Sequence, residues 1–283
     1  MTTDRTRQAA VIAVGDNVVD QYPDLGVMYP GGNAVNVAVN ARRLGARAAY
    51  LGVLGSDRAG AVVREALRSE GLDLTHTRVA DGPNAHATVR VHDGNRVFEG
   101  GEIGVSRFRL TAHDVAALGD FDVVHTGECS MTEEDLPRMR AAARMLSFDF
   151  SERPWDYVVE HARHAHVAVL STPHGDPTGA GDLARRVLGL GPALVAVTMG
   201  PAGAVVADRD GLWAAPAGRG PIVDTLGAGD AFIARLLVGL AHGEHPATVV
   251  TAATDYASKT CATYGAFGHE TPITAPEGAT AAP

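Results

Sequence analysis

Cysteine is nearly missing from this sequence. Its 283 residues hold two, Cys129 and Cys261, with no CxxC pair and no Cys/His ligand spacing, so no zinc site is implied. No apolar run approaches the roughly 18 residues of a membrane-spanning helix. Residues 1–8 are polar and lack the apolar centre of a secretory leader. Positive charge is also short. Against 33 Asp and Glu stand 24 Lys and Arg, a net charge of −9, which argues against nucleic acid or an anionic membrane as partner. A phosphate ligand is not excluded, because backbone amides can hold one locally. What remains is a chain with 46% hydrophobic and 20% charged residues. That is the balance of a soluble, cytoplasmic enzyme, long enough for one large α/β domain or two small ones. Of the twelve histidines, His161, His164 and His166 cluster near the end of an apparent helix. They are expected on a solvated face rather than around a metal.

The most informative stretch that is present runs Asp224-Thr225-Leu226-Gly227-Ala228-Gly229-Asp230 and passes directly into Ala231-Phe232-Ile233-Ala234-Arg235-Leu236-Leu237. Small residues give way to an apolar run with helical spacing. The first amides of such a helix have no intrahelical partner, and its dipole favours negative charge there. An anion site is one reading, and a plainly capped helix is the other. The carboxylate of Asp230 tilts the choice. A base beside an anion site suits a reaction in which a nucleophile is deprotonated next to a phosphate in transfer. Asp176-Pro177-Thr178-Gly179-Ala180-Gly181-Asp182 repeats the pattern. It leads into a half-polar helix around Leu183–Gly189, which gives less rigid support, so Asp182 is expected to be only a helix cap.

The rest of the chain alternates strands and helices. Val11–Gly15 is a short buried strand with Asp16, Asn17 and Asp20 beyond its C-terminal end, where ligands bind in open α/β sheets. Gly31-Gly32 opens a helix of small residues in which Asn33 is an N-cap candidate and Asn36, one turn on, either enters a site or merely packs. Residues 48–54 form a second apolar strand, and residues 59–69 an amphipathic helix stopped by Gly71. Residues 87–98 alternate apolar and polar around Asp93-Gly94-Asn95, which predicts a hairpin with one wet face, standing off the main sheet as a lid. Further strands are expected at 122–127, 147–150, 167–170, 194–198 and 204–207. Helices are expected at 133–146, 155–163 and 246–264. This order implies a parallel, doubly wound sheet. No repeat or linker divides the chain, and residues 271–283 read as a disordered tail.

Taken together, these segments resemble the ribokinase-like (PfkB) family of carbohydrate kinases over nearly the whole length, 1–270. The stretch from Gly31-Gly32-Asn33 to Leu44-Gly45 resembles the N-terminal signature of that family. Asp224 to Asp230 resembles its C-terminal signature, and Thr198-Met199-Gly200 lies between them. The resemblance implies an α/β fold, doubly wound and mostly parallel, with helices on both faces and a small β lid from about 17–30 and 84–105. It implies transfer of the γ-phosphoryl group of ATP to a sugar hydroxyl. By the same likeness, Asp230 is the general base, and Gly227, Ala228 and Gly229 supply the anion hole. Asp20, Gly32, Asn33, Asn36 and Glu128 hold the sugar. Thr198, Gly200 and Gly203 face the nucleotide, and Asp224 helps to bind a monovalent cation such as K⁺. Within the family, Gly15–Asp20 and Met28–Ala38 look like the fructoselysine 6-kinases, which implies the 6-hydroxyl of an Amadori compound as acceptor. Fructose, a nucleoside, or a non-catalytic sensor remain alternatives.

One segment departs from the family pattern. Where members often carry Asn-x-x-Glu to help position Mg²⁺, this chain has Ser171-Thr172-Pro173-His174. Either Asp176 substitutes, or ATP and water hold the metal. The half-apolar hairpin predicts a homodimer formed through the lid.

Overall fold

The computed structural model describes residues 8–92, 95–172 and 175–273. The chain begins with β1 (Ala10–Val14), β2 (Val18–Tyr22), β3 (Val27–Gly31), α1 (Asn33–Arg43), β4 (Arg47–Leu51), β5 (Val53–Gly55), α2 (Arg58–Ser69) and β6 (Arg78–Ala80). It continues through β7 (His86–His92), β8 (Asn95–Glu102), α3 (Ala112–Ala117), β9 (Val123–Gly127), α4 (Leu136–Ala142), β10 (Leu146–Asp149), α5 (Trp155–His161), β11 (Val167–Ser171) and α6 (Pro177–Leu188). It closes with β12 (Leu194–Thr198), β13 (Ala204–Asp208), β14 (Leu212–Ala215), α7 (Ala228–Ala241), α8 (Pro246–Thr260) and β15 (Thr271–Pro272).

Eight strands form the main sheet in the order β14-β13-β12-β11-β10-β9-β1-β4. The six from β12 to β4 are mutually parallel, and β13 and β14 add an antiparallel edge. The strands are short apolar runs because both faces are covered. Ile12, Val14, Val124 and Phe148 point to one side, against Leu136 and Met139 of α4, Val158 of α5 and Ala184 of α6. Val11, Val123, Val169 and Ala196 point to the other, against Val37 of α1, Phe232 and Leu236 of α7, and Val249 of α8. The chain lays down β1 and β4, then returns to the far side of β1 with β9. The order therefore switches between β1 and β9, and such a switch opens a crevice beyond the strand ends.

A second sheet, β15-β3-β2-β7-β8, is built from the two segments expected to make a lid. Tyr22, Tyr29 and Val89 form a small apolar cluster on it, with the two tyrosine rings edge to face at 5.6 Å. Thr271 and Pro272, read from sequence as tail, pair here with Met28 and Val27. The remaining tail, 274–283, and the Asp93-Gly94 turn lie outside the described residues.

Several boundaries differ from the sequence reading. The apolar run 48–54 is two strands, not one. Tyr50 sends its hydroxyl over the bend at Gly52 to the Gly15 carbonyl, 2.8 Å away, and β5 then leaves the main sheet to pair with β6. The helix expected over 133–146 is α4 alone, preceded by a 3₁₀ turn at Glu133–Asp135, because Leu146 belongs to β10. The helix expected to reach residue 264 ends at Thr260. Asp182 does not cap a helix. Asp176 caps α6 through its carboxylate and the Thr178 amide, and Asp182 sits inside the helix, exposed and paired with Arg185. His166 is not a solvated residue: its Nδ1 accepts the Leu146 amide at 2.8 Å, and burial lowers its pKa to about 4.

Candidate active site

The site is assembled where the switch between β1 and β9 meets the first turns of α1 and α7. These two helices pack against one another, and residues three apart on α1 share a face. Asn33 and Asn36 therefore present their side chains together. Asn33 Nδ2 donates to Asp230 Oδ1 at 2.8 Å, and Asn36 Nδ2 donates to Asp230 Oδ2 at 2.7 Å. One carboxylate is thus held at both oxygens. Burial raises the pKa of Asp230 to about 6, and Asp16 adds to the rise while the two amides oppose it. With that value the carboxyl is mostly ionised near neutral pH, yet basic enough to take up a proton.

Asn33 is not the N-cap. Gly32 holds that place at φ 111, and Asp16 does the capping from the end of β1. Asp16 Oδ2 takes the Asn33 amide at 2.7 Å, Oδ1 takes that of Ala34 at 3.2 Å, and Ser130 Oγ donates to Oδ1 at 2.7 Å. Gly32 cannot carry a side chain, because a Cβ there would lie 2.8 Å from Asn17 Cα. Freed from capping, the Asn33 side chain turns into the site.

Gly227 is the N-cap of α7 in the left-handed region, φ 74, and a Cβ on it would sit 2.5 Å from that of Ala266. Of the three amides expected to form an anion hole, that of Ala228 is turned back onto the Thr225 carbonyl at 3.2 Å by the tight turn Gly227 permits. The amides of Gly227 and Gly229 meet no acceptor among the described residues, and neither does that of Asp230 itself. Space beside Gly229 is open. Asp224 is buried, and its two oxygens take the amides of Leu226 at 2.6 Å and Gly265 at 2.9 Å, tying this loop to the segment after α8.

Asp20, on β2, lies beside the same cluster. A Cβ on Gly31 would be 2.8 Å from Asp20 Oδ2 and 3.8 Å from Asn36 Oδ1, so both acceptors border one spot. Asn36 Oδ1 is buried with no partner among the described residues. Glu128 stands at the end of β9, paired with Arg153 at 2.7 Å. Thr198 ends β12, and Gly200 and Gly203 follow it, on the same edge of the sheet but three strands from β9. Thr198 Oγ1 is 2.9 Å from Ser171 Oγ. Pro173 and His174 lie outside the described residues. Among those described, no cluster of three His, Cys, Asp or Glu could hold a metal ion. Asp176 is occupied as a helix cap.

Sequence reasoning missed two residues of this cluster. Asp149, at the end of β10, accepts the second hydrogen of Asn33 Nδ2 at 2.9 Å and the Ser151 amide at 2.9 Å. Burial, Asp230 and Glu128 together raise its pKa to about 7. His125, fully buried on β9, reaches Asn33 Oδ1 with Nε2 at 3.0 Å. The available signal was their chemistry: a histidine and a carboxylate inside otherwise apolar strands are costly unless satisfied. A cavity of about 330 Å³ lined by Ser151, Trp155, Ser171 and Arg186 lies against α5 and α6, and no member of the Asp230 cluster lines it.

This arrangement has relatives. Residues 9–272 match the pfkB family of carbohydrate kinases. A fructosamine kinase of Bacillus subtilis (strain 168) is 37% identical over 274 residues, covering 95% of this chain and 96% of its own. The fructoselysine 6-kinase of Escherichia coli (strain K12) is 34% identical over 257 residues, covering 90% and 98%. Among solved structures, Arabidopsis thaliana ribokinase complexed with ribose and ATP superposes with a TM-score of 0.78 at 19% identity, covering 94% of this chain and 97% of that one. Salmonella enterica aminoimidazole riboside kinase, complexed with its riboside and an ATP analog, gives 0.74 at 22%, covering 91% and 95%. The fold is ribokinase-like. With a carboxylate held by two amides at the head of α7 and a family match over nearly its whole length, the chain belongs to the pfkB family of carbohydrate kinases and is a phosphotransferase with an alcohol group as acceptor.

Proposed function

We propose that this protein phosphorylates the 6-hydroxyl of fructoselysine or a related Amadori compound, with ATP as donor and Asp230 as general base. The observation that carries the chemistry is the double hold on Asp230 by Asn33 and Asn36 beside the free amides of Gly227 and Gly229. The choice of acceptor rests on the two relatives at 37% and 34% identity, one named for fructosamine and the other for fructoselysine.

The residues divide the work as follows. Asp20 and the orphaned Asn36 Oδ1 receive sugar hydroxyls beside Gly31, and Glu128, near enough to raise the pKa of Asp149, is proposed to reach the same sugar. The orphaned acceptor is an observation that itself asks for a hydroxyl donor, since a buried polar atom without a partner is costly. Asp230 takes the proton of the attacking hydroxyl. ATP supplies the γ-phosphoryl group: the hydroxyl oxygen bonds to phosphorus as the bond to the β-phosphate oxygen breaks. The amides of Gly227 and Gly229 face charge that builds on the group in transfer, and their fixed aim is what makes them effective. Thr198, Gly200 and Gly203 line the nucleotide approach. The second sheet acts as the lid, excluding water when sugar is bound.

The described residues build no protein cage for Mg²⁺, so it is proposed to arrive with the nucleotide, holding phosphate oxygens and water. A monovalent cation is proposed to bind against the loop that Asp224 holds. Dimerisation through the lid sheet and a cytoplasmic location belong to the same reading. No helix among the described residues is long and apolar enough to cross a membrane.

The test is a panel of fructoselysine, other Amadori compounds, fructose and nucleosides with ATP and Mg²⁺, reading ADP. Fructoselysine should give the highest kcat/KM. Fructose outrunning every Amadori compound would remove the substrate assignment while leaving the kinase intact.

A further inference from the structure

We propose that Ser147 and His125 form a buried positioning relay that fixes the Asn33 amide, and through it the carboxylate of Asp230 relative to that of Asp149. Neither residue of the relay touches substrate. The proposal rests on the reading of Asp230 as the base.

The geometry leaves little freedom. Both hydrogens of Asn33 Nδ2 are committed, one to Asp230 at 2.8 Å and one to Asp149 at 2.9 Å. Turning the amide over would aim its oxygen at two carboxylates, so Oδ1 faces His125 instead. An amide oxygen only accepts, which requires the proton of His125 to be on Nε2. The ring is then neutral with Nδ1 as acceptor, and Ser147 Oγ, 3.3 Å away, is its donor. Burial supports the neutral form by pushing the pKa of His125 to about 3. The parallel register of β9 and β10 sets Ser147 directly beside His125, and both are fully buried. Hydrogen bonds thus run in one direction, from Ser147 to His125 to Asn33 and from there to both carboxylates. Such a chain selects one orientation of every member.

The consequence is specific. Without a donor at position 125, the Asn33 amide can rotate and Asp230 loses one of its two hydrogen bonds. A hydrogen bond to the ionised form lowers a carboxyl pKa, so its loss moves Asp230 upward. The groups that face Asp230 are Asp149 across Asn33, Asp16 at the end of β1, and the neutral side chains of Asn33 and Asn36. Asp149 also feels Glu128, which Arg153 pairs.

The experiment compares His125→Met, His125→Gln and Ser147→Ala with Asp230→Asn, measuring kcat, KM for sugar and ATP, and the pH dependence of kcat/KM. His125→Met keeps bulk but no donor, and should lower kcat by about ten- to a hundredfold, the cost of a slightly misplaced catalytic group, with the acidic limb shifted to higher pH. His125→Gln restores an N–H donor and should recover most of the loss. Ser147→Ala should shift the limb in the same direction by less, in a protein that folds. The relay is overturned if His125→Met keeps the wild-type rate and pH limb, or if Gln is no better than Met. It is also overturned if Ser147→Ala leaves the limb in place, which decides the matter should His125→Met not fold. Wild-type turnover in Asp230→Asn would instead remove the base assignment on which the relay depends.

Discussion

Asn33 and Asp230 stand 197 positions apart in the chain and meet at 2.8 Å, the amide of the one donating to the carboxylate of the other. The contact joins the first turn of α1 to the first turn of α7, the two segments that carry the family signatures. If Asp230 is the base, Asp230→Asn should lower kcat by roughly 10²–10⁴-fold, the scale of a missing general base, while KM for ATP changes little. Steady-state ADP release with saturating fructoselysine reads this directly, and a variant as fast as wild type would refute the assignment.

The duplicated Gly-Ala-Gly-Asp sequence offers an internal control. Asp182 is exposed on α6 and paired with Arg185, and surface pairs of this kind contribute about 0–1 kcal/mol. Asp182→Asn should therefore retain wild-type kcat and KM. A large loss of kcat there would mean that the wrong copy has been given the chemistry.

Activity should depend on pH in a defined direction. Asp230 must be ionised to accept a proton, and burial holds its pKa up at about 6. The kcat/KM profile should rise through about pH 6 and level above it. A profile flat from pH 5 to 8 would contradict the raised base.

Stability should move the opposite way. Asp149 and Asp230 both have folded pKa values raised from the ordinary 3.8, to about 7 and about 6. Between the ordinary value and the raised one, the folded state binds more protons than the unfolded state, so these groups make unfolding easier as pH rises from about 4 to about 7. In Asp230→Asn the Asp230 share disappears, and chemical denaturation across that window should show a shallower decline. An unchanged slope would show that the carboxyl is not perturbed as described.

The turn before α7 gives a fifth test. In Gly227→Ala the new Cβ would meet that of Ala266 at 2.5 Å in a left-handed backbone conformation, a strain of about 1–3 kcal/mol. Both Tm and kcat should fall, because the loop that relaxes carries the free amides. A variant with wild-type Tm would show that the turn has room to spare.

The sequence by itself determined the layered α/β architecture, since short apolar strands alternating with helices can only be buried on both faces. It also determined the approximate site, since glycines and carboxylates at helix starts keep their local meaning wherever the chain goes. The order of the strands, and with it the switch between β1 and β9, depended on pairing between distant segments. Only the tertiary structure decided that Asp16 and not Asn33 caps α1, that the Ala228 amide is spent on Thr225, and that His125 and Asp149 join Asn33. Each of these depends on which groups from separate strands and helices reach hydrogen-bonding distance. Local periodicity carries no information about that, because it records which face a residue occupies and not which partner it meets there.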